Sequence, residues 1–505
     1  MLKSLNKKDI IKILIWSFIF IIPLIFFQCT NDDFITHISR LYNLSISFKQ
    51  GNFNPYMYQS CYEKYGYPFG IFYPDTFLKP FAFLVYIGVP IYMSSIIMLF
   101  FINFFTFFIP YFLLKKIKKF KKNAYLISLI YFIYPYRFFD YANRFSIGEL
   151  MFFIFFPMIL YGLYLIFYEN QFNWYLTFGF YGIAHSHILS ILFILLFCIF
   201  FYIWNIKKIR HNLNIIKFTI INAFIVLLTN IDIYLPILEA ENKEDLLYKS
   251  NNSLLGTVNE NTFKIIKQNN FINILMLIVL ILLIIFIYNS KSILTKSILS
   301  LVILLIITTN LFNWDYITNL FSFLNIMQFP FRILVFGCIP WTFIMFKFSN
   351  WLLTILKFRI VPFMLVFEFF IFILFCFVYI PFDFDSMYQN IGAGDYINNE
   401  VDIMNLSFKT LNSHIDTNIE TNNYLCENGY LPIFYYNNYE ITLNNKFYNY
   451  ENKNGLIYVP NLKNKNVNVI VKYKNTFIQT FSYILSWINC LLFSLCIFIK
   501  RNNKK

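Results

Sequence analysis

Charge is scarce in this chain. Of its 505 residues only 13% are charged, while 58% are hydrophobic and 22% aromatic. That scarcity excludes a water-soluble globule, because apolar stretches of span length recur from end to end. Glycine-rich phosphate loops are missing, and no Ser/His/Asp order marks a hydrolase, so ATP-driven chemistry is not expected. Cysteine is sparse as well. Of the eight, Cys198, Cys338, Cys376, Cys490 and Cys496 fall within apolar runs and Cys29 ends one. Only Cys61 and Cys426 lie clearly outside, which leaves room for one disulfide between them and excludes a disulfide framework or a zinc motif. Arginine is rarer than lysine, 7 against 34.

What the chain has instead is apolar sequence in span-length runs. Twelve spans are expected at about 13–29, 78–114, 123–138, 148–168, 174–186, 188–205, 214–238, 270–288, 297–312, 330–349, 361–381 and 478–499. The formal charge of +15 follows this map rather than a nucleic-acid surface. More than half of the 41 lysines and arginines fall in the segments on one side, among them 115–122, 207–210, 357–359 and the tail 500–505. Of the 26 acids only Asp9 and Glu169 join them. That asymmetry is the positive-inside pattern, and it predicts a multi-pass plasma-membrane protein with both termini cytoplasmic, membrane lipid as a partner and no nucleic acid. Met1 to Lys12 resembles the basic leader of a signal peptide. However, Phe26-Phe27-Gln28-Cys29 lacks the small residues of a cleavage site, so the first run reads as an uncleaved anchor.

Three regions follow. Residues 1–381 form a helical membrane body with an outer loop at 30–77. Residues 382–477 are polar and rich in Asn and Tyr. Within them 439–443, 455–459 and 467–473 alternate with period two between Asn/Lys/Gly turns, so a small extracytoplasmic β-module is expected. Residues 478–505 return the chain to the membrane and end in a basic tail. The outer loop 239–269, with Glu241, Glu244 and Asp245, is the other long polar connection. The predicted class is therefore an all-α polytopic membrane protein with a small β-module before its last helix.

The candidate chemistry begins with a pair of acids just past the first span. A helix starting near Asn31 places Asp33, His37 and Arg40 at i, i+4 and i+7, on one face, and Gly51 can end it. A carboxylate there, Asp33 or Asp32, can take a proton from an acceptor hydroxyl, with His37 or Arg40 tuning it. The plainer role is to offset the helix dipole. Four of the seven arginines, Arg40, Arg137, Arg144 and Arg332, fall on the outer side of the map, opposite to the topology signal. A guanidinium grips phosphate bidentately, so these residues are candidates to hold a phosphate head group, with interfacial snorkelling as the plain alternative.

In the 135–149 connection, Ser146 and Glu149 fit a capping box. Arg144 beside that helix start suggests an anion cradle. His185-Ser186-His187 reads as a bend with hydrogen bonding or donor contact at His187, rather than a metal site. Asp232 and Glu368 are acids inside spans and costly unless paired or wet.

Several of these stretches occur together in one known group. Asn31-Asp32-Asp33…His37…Arg40, Gly66-Tyr67-Pro68…Phe72-Tyr73-Pro74, Pro135-Tyr136-Arg137…Asp140…Arg144…Gly148-Glu149, His187-Ile188-Leu189-Ser190, Gln328-Phe329-Pro330-Phe331-Arg332 and Gly392-Ala393-Gly394-Asp395-Tyr396 resemble, in that order, bacterial polytopic membrane proteins labelled 6-pyruvoyl-tetrahydropterin synthase-related. The chain has neither a soluble synthase domain nor a zinc triad to match that label. Its layout is similar to the GT-C class of membrane glycosyltransferases.

That resemblance implies a GT-C-like body and a polyprenyl-phosphate-linked sugar as donor. It also implies a cell-envelope glycan acceptor and an acid in the first outer loop, Asp32 or Asp33, as base or metal ligand. Because the two acids are adjacent rather than spaced, the choice between them and the need for a divalent metal ion stay open. The competing expectations are a non-catalytic carrier or flippase partner for lipid-linked glycans, and an envelope scaffold.

Overall fold

The computed structural model describes residues 5–27, 32–59, 65–243, 292–308, 314–321, 330–356, 364–366, 369–370, 423–463 and 465–502. They are mostly helical, with a separate antiparallel sheet near the C-terminus. The expected spans 270–288 and most of 361–381, along with Glu368, Cys61 and the Gly392–Tyr396 stretch, lie outside the described residues.

Twelve spans are not found. Three helices among the described residues are long and apolar enough to cross a membrane: Ile91–Leu114, Ile147–Tyr168 and Phe331–Ile355. A fourth is the pair Asn214–Thr229 and Ile231–Lys243 if it counts as one span, bent by 63° at Asn230. A straight crossing needs about 20 residues at 1.5 Å each. Two of the other apolar runs are interrupted by backbone chemistry before they reach that length, and the 78–114 run is shortened to the one span it holds. The 78–114 run breaks at Gly88, with φ +101°, and Pro90, leaving Lys79–Tyr86 as a separate short helix. The 123–138 run stops after Ala124–Phe132, and a new helix starts at Pro135, whose ring suits a first turn but not a helix interior. The first run likewise divides into Lys7–Ile19 and Ile22–Phe27.

Helix Ile147–Tyr168 is the hub, buried along nearly its whole length against Ile91–Leu114 and Tyr175–Ala184. Its close approach to the latter depends on Gly162. A Cβ there would stand 2.7 Å from the Leu176 nitrogen and 2.9 Å from its Cα, inside van der Waals contact with backbone. Phe152 and Phe156 continue the seam onto Phe336 and Phe197.

Helix Asp32–Lys49 starts where the acids predict and ends before Gly51, whose φ of +79° supplies the left-handed residue of a helix stop. Beyond it, residues 54–59 and 65–72 form the floor of the β-module. Seven strands, β1 (Asn423–Glu427), β2 (Tyr430–Phe434), β3 (Tyr439–Leu443), β4 (Lys446–Tyr448), β5 (Glu451–Lys453), β6 (Leu456–Tyr458) and β7 (Asn466–Tyr473), pair in the order β4-β3-β7-β1-β2-β6-β5. The three predicted strands are β3, β6 and β7. The others are short or flanked by turns whose asparagines and glycine take positive φ.

The buried faces of Leu431, Ile441, Val469 and Val471 pack on Tyr56, Met57, Ile71 and Phe72. The Phe434 amide donates to the Tyr65 carbonyl at 2.8 Å, which ties sheet to loop. Cys426 is a free, buried thiol, and its envisaged partner Cys61 lies outside the described residues.

The last helix, Phe477–Asn502, opens with a reciprocal cap. The Gln479 amide donates to Thr476 Oγ1 at 3.0 Å, and the Thr476 amide donates to Gln479 Oε1 at 2.9 Å.

Candidate functional site

The segment between helices Pro135–Phe139 and Ile147–Tyr168 carries the site. Asp140–Arg144 winds as a π-helical turn, and Phe145 closes it with φ +53°, a left-handed conformation that a bulky side chain rarely adopts. The conformation is held by burial. Phe145 is fully enclosed against Phe34, with ring centroids 4.9 Å apart, and against Tyr141. This reversal turns Arg144 back over the start of the hub helix.

There Arg144 meets three acids. One terminal nitrogen lies 3.1 Å from Asp140 Oδ1 and 3.1 Å from Glu149 Oε1, and the other donates to Asp33 Oδ2 at 3.0 Å. Arg332 Nε lies 2.9 Å from the same Glu149 oxygen, and the Tyr136 hydroxyl donates to Oε2 at 2.7 Å. Glu149 is therefore a sealed carboxylate clamped by two guanidiniums and a phenol, and the expected capping box is corrected. Ser146 makes no side-chain cap, and Glu149 faces inward to the arginines rather than back to its own helix end. Buried charge has to be neutralised locally, and that demand outweighs one capping hydrogen bond.

A second network lies beside the first. Arg40 donates to Asp75 Oδ1 at 2.6 Å and to the Tyr73 and Pro74 carbonyls, and it stands 3.3 Å from His37 Nδ1. The Tyr58 hydroxyl donates to the other Asp75 oxygen. Tyr73 joins the two networks. Its ring is 3.8 Å from the Arg40 guanidinium carbon, 5.7 Å from the His37 ring and 5.8 Å from the His187 ring. Gly148 makes room for this junction, since a Cβ there would sit 2.9 Å from His187 Cδ2. His187 Nδ1 is fixed 2.8 Å from Ser190 Oγ.

Of the residues picked from the sequence, Asp33, His37, Arg40, Arg144, Arg332 and His187 thus converge. Arg137 does not. It is buried on Asn103 Oδ1, the Phe132 carbonyl and the Phe132 ring, so it is a packing residue of the body rather than a head-group ligand. The side chain of Asp32 lies outside the described residues. Asp75, Asp140, Tyr73 and Tyr58 were missed as site residues, although Asp140 and Tyr73 stand in stretches that carry the resemblance. His185 and His187, two residues apart, serve different places, because His185 Nε2 pairs with Asp232 at 3.3 Å.

Burial sets the protonation of the site. It holds the His37 imidazole well below its ordinary range, helped by the charges of Arg40, His187 and Arg144. It also pushes His187 down to about 3, assisted chiefly by Arg332. Burial raises Asp140 far above the usual carboxylate range, with Glu149 adding to the effect against Arg144. Asp140 Oδ2 is buried without a partner among the described residues, as suits a neutral carboxyl. With both imidazoles and Asp140 neutral, Asp33, Glu149 and Asp75 balance Arg40, Arg144 and Arg332.

The site opens at Asp33, whose side chain is 40% exposed, whereas Asp140 and Glu149 are sealed. A metal ion fits poorly here. Among the described residues no group of three His, Cys, Asp or Glu side chains is placed to hold a metal ion, and Asp33 faces a guanidinium that would repel a cation. No family model, curated protein or solved structure matches this chain, so the family and class resemblance stands on the residues quoted for it.

Two outcomes follow. Glu149→Gln leaves two buried guanidiniums short of a counter-charge and is expected to cost about 3–5 kcal/mol of stability, whereas Asp33→Asn, at the open end, costs no more than about 1 kcal/mol. Thermal unfolding of the detergent-solubilised protein compares them. The two imidazoles set a pH dependence as well. Because both lie below their ordinary value of 6.5, the unfolded chain takes up protons first as pH falls. Their stabilisation is complete above that value and declines below it, by up to about 1.4 kcal/mol per pH unit for each. For His187 the decline continues to about pH 3. Asp140 has the opposite sign, so its contribution is present in acid and fades as pH rises through its elevated value. Unfolding temperature measured from pH 7 to pH 5 should therefore fall, and should fall less in His187→Asn.

Proposed function

We propose that this chain is a GT-C-like membrane glycosyltransferase. It would move a sugar from a polyprenyl-phosphate donor to a cell-envelope acceptor at the outer face of the plasma membrane. The observation that carries the reading is a partly open carboxylate, Asp33, at the mouth of a buried cluster whose guanidiniums are preset. Asp33 takes the proton from the acceptor hydroxyl as that oxygen attacks the anomeric carbon. The bond from that carbon to the phosphate oxygen breaks, and the phosphate leaves with the electron pair. Arg144 and Arg332 stabilise the charge that develops on it. Glu149 positions both arginines and does not touch substrate.

In this reading an arriving phosphate takes the edge of Arg144 that Asp33 occupies. Asp33 is thereby released towards the acceptor, which couples donor binding to activation of the base. Neutral His37 and His187 line the pocket and offer hydrogen bonds without adding charge. No step is assigned to a metal ion. The hydrophobic donor tail needs a protein with lipid-facing helices, and three helices long and apolar enough to cross a membrane support that reading.

The rival reading, a carrier for lipid-linked glycans, draws on a second polar pocket around Asp232. The two readings differ in what Asp33 must do. Under the transferase reading, Asp33→Asn lowers transfer by about 100-fold or more, the scale of losing a general base. Host cells then accumulate the lipid-linked donor at unchanged protein level. Normal envelope glycans in cells carrying only Asp33→Asn would remove the transferase reading.

A further inference from the structure

A cavity of about 490 Å³ opens on the far side of Asp75 from the arginine cluster, within the size range of small-ligand sites. Its wall includes the aromatic side chains of Phe48, Phe53, Phe83, Tyr483 and Trp487. Phe53, Phe83 and Trp487 are also exposed at the surface, so the cavity is continuous with the apolar exterior. At its inner end it meets a small polar recess formed by Asn54, Asp75, Lys79, His185 and Asp232.

At that junction Lys79 and Asp232 attract each other without direct contact, and each keeps capacity for a ligand. Lys79 Nζ donates to Asn54 Oδ1 at 2.6 Å and lies 5.5 Å from the Tyr483 ring centroid, but no carboxylate among the described residues comes within 4.0 Å of it. Asp232 Oδ2 faces His185, whereas its buried Oδ1 has no hydrogen-bond partner among the described residues. Asp75 is already matched by Arg40. A ligand that completes this site brings an anion to Lys79, a donor to Asp232 and an apolar chain for the aromatic wall.

We infer that the cavity binds an aminophospholipid, with its phosphate on Lys79, its primary ammonium on Asp232 and one acyl chain along Phe53, Phe83 and Trp487. Charge complementarity selects this occupant. A ligand carrying phosphate alone leaves Asp232 Oδ1 unpaired, and one carrying an amine alone leaves Lys79 unmatched. An ammonium donor gives the carboxylate a charge-assisted bond that a glycerol hydroxyl does not. This site is separate from the Asp33 cluster, so its occupancy does not depend on the proposed transfer reaction.

The test uses the delipidated full-length protein in detergent, offered equimolar phosphatidylethanolamine and phosphatidylglycerol, with bound lipid counted by native mass spectrometry. The wild type is expected to hold phosphatidylethanolamine in preference by about 10-fold. Asp232→Asn should bring the two lipids to near equality, Lys79→Met should lose both, and Lys79→Arg should keep the wild-type preference and show that the fold survives change at this position. Equal retention of both lipids by the wild type would overturn the proposal. So would a preference for phosphatidylglycerol, a preference unchanged in Asp232→Asn, or binding unchanged in Lys79→Met.

Discussion

One fully enclosed carboxylate, Glu149, holds this structure's polar centre together. Its two oxygens take the Arg144 and Arg332 guanidiniums and the Tyr136 phenol, which brings together segments nearly two hundred residues apart in the chain. In an apolar body such a charge is tolerable only when its partners are fixed. The local backbone is organised accordingly. The π-turn at Asp140–Arg144 and the left-handed Phe145 are conformations the chain would not choose unaided, and both serve to return Arg144 to Glu149. The strain at Phe145 is offset by enclosing its ring against Phe34, on the helix that carries Asp33. The same packing that fixes the turn therefore fixes the distance between the acid and the guanidinium it faces.

The second network extends this arrangement. Arg40, held by Asp75, whose other oxygen takes the Tyr58 hydroxyl, stacks on Tyr73, and Tyr73 lies between His37 and His187. The β-module rests on Tyr56, Met57, Ile71 and Phe72 of the same loop, so the sheet braces the segment that leads into Tyr73 and Asp75. On the other face of Asp75 lies the cavity containing Lys79 and Asp232. Two polar sites of different character thus share one wall.

Much of this was legible from residue spacing. The start and stop of helix 32–49, the shared face of Asp33, His37 and Arg40, the three strands at 439–473 and the convergence of Arg144 and Arg332 all follow from periodicity and from arginines placed against the topology signal. Hydropathy overcounted spans because it averages across breaks such as the one at Pro135, where a new short helix starts. Glu149 misled because Ser146-Ile147-Gly148-Glu149 satisfies a capping pattern locally, while its true partners come from residues 136 and 332. Arg137 misled in the opposite sense, since a buried structural arginine and a ligand-binding one look alike in sequence. Asp75 gave no signal alone, because its meaning comes from Arg40, whereas Asp232 stood out as an acid inside a span but its partner His185 did not.

The central claim is that Glu149 and Arg332 form one buried electrostatic unit. A double-mutant cycle of Glu149→Gln and Arg332→Gln, read by equilibrium unfolding of the full chain in detergent, tests it most directly. The account predicts that the double variant is less destabilised than the sum of the single ones, with a coupling on the order of 2 kcal/mol or more. Additive losses within about 0.5 kcal/mol would contradict it.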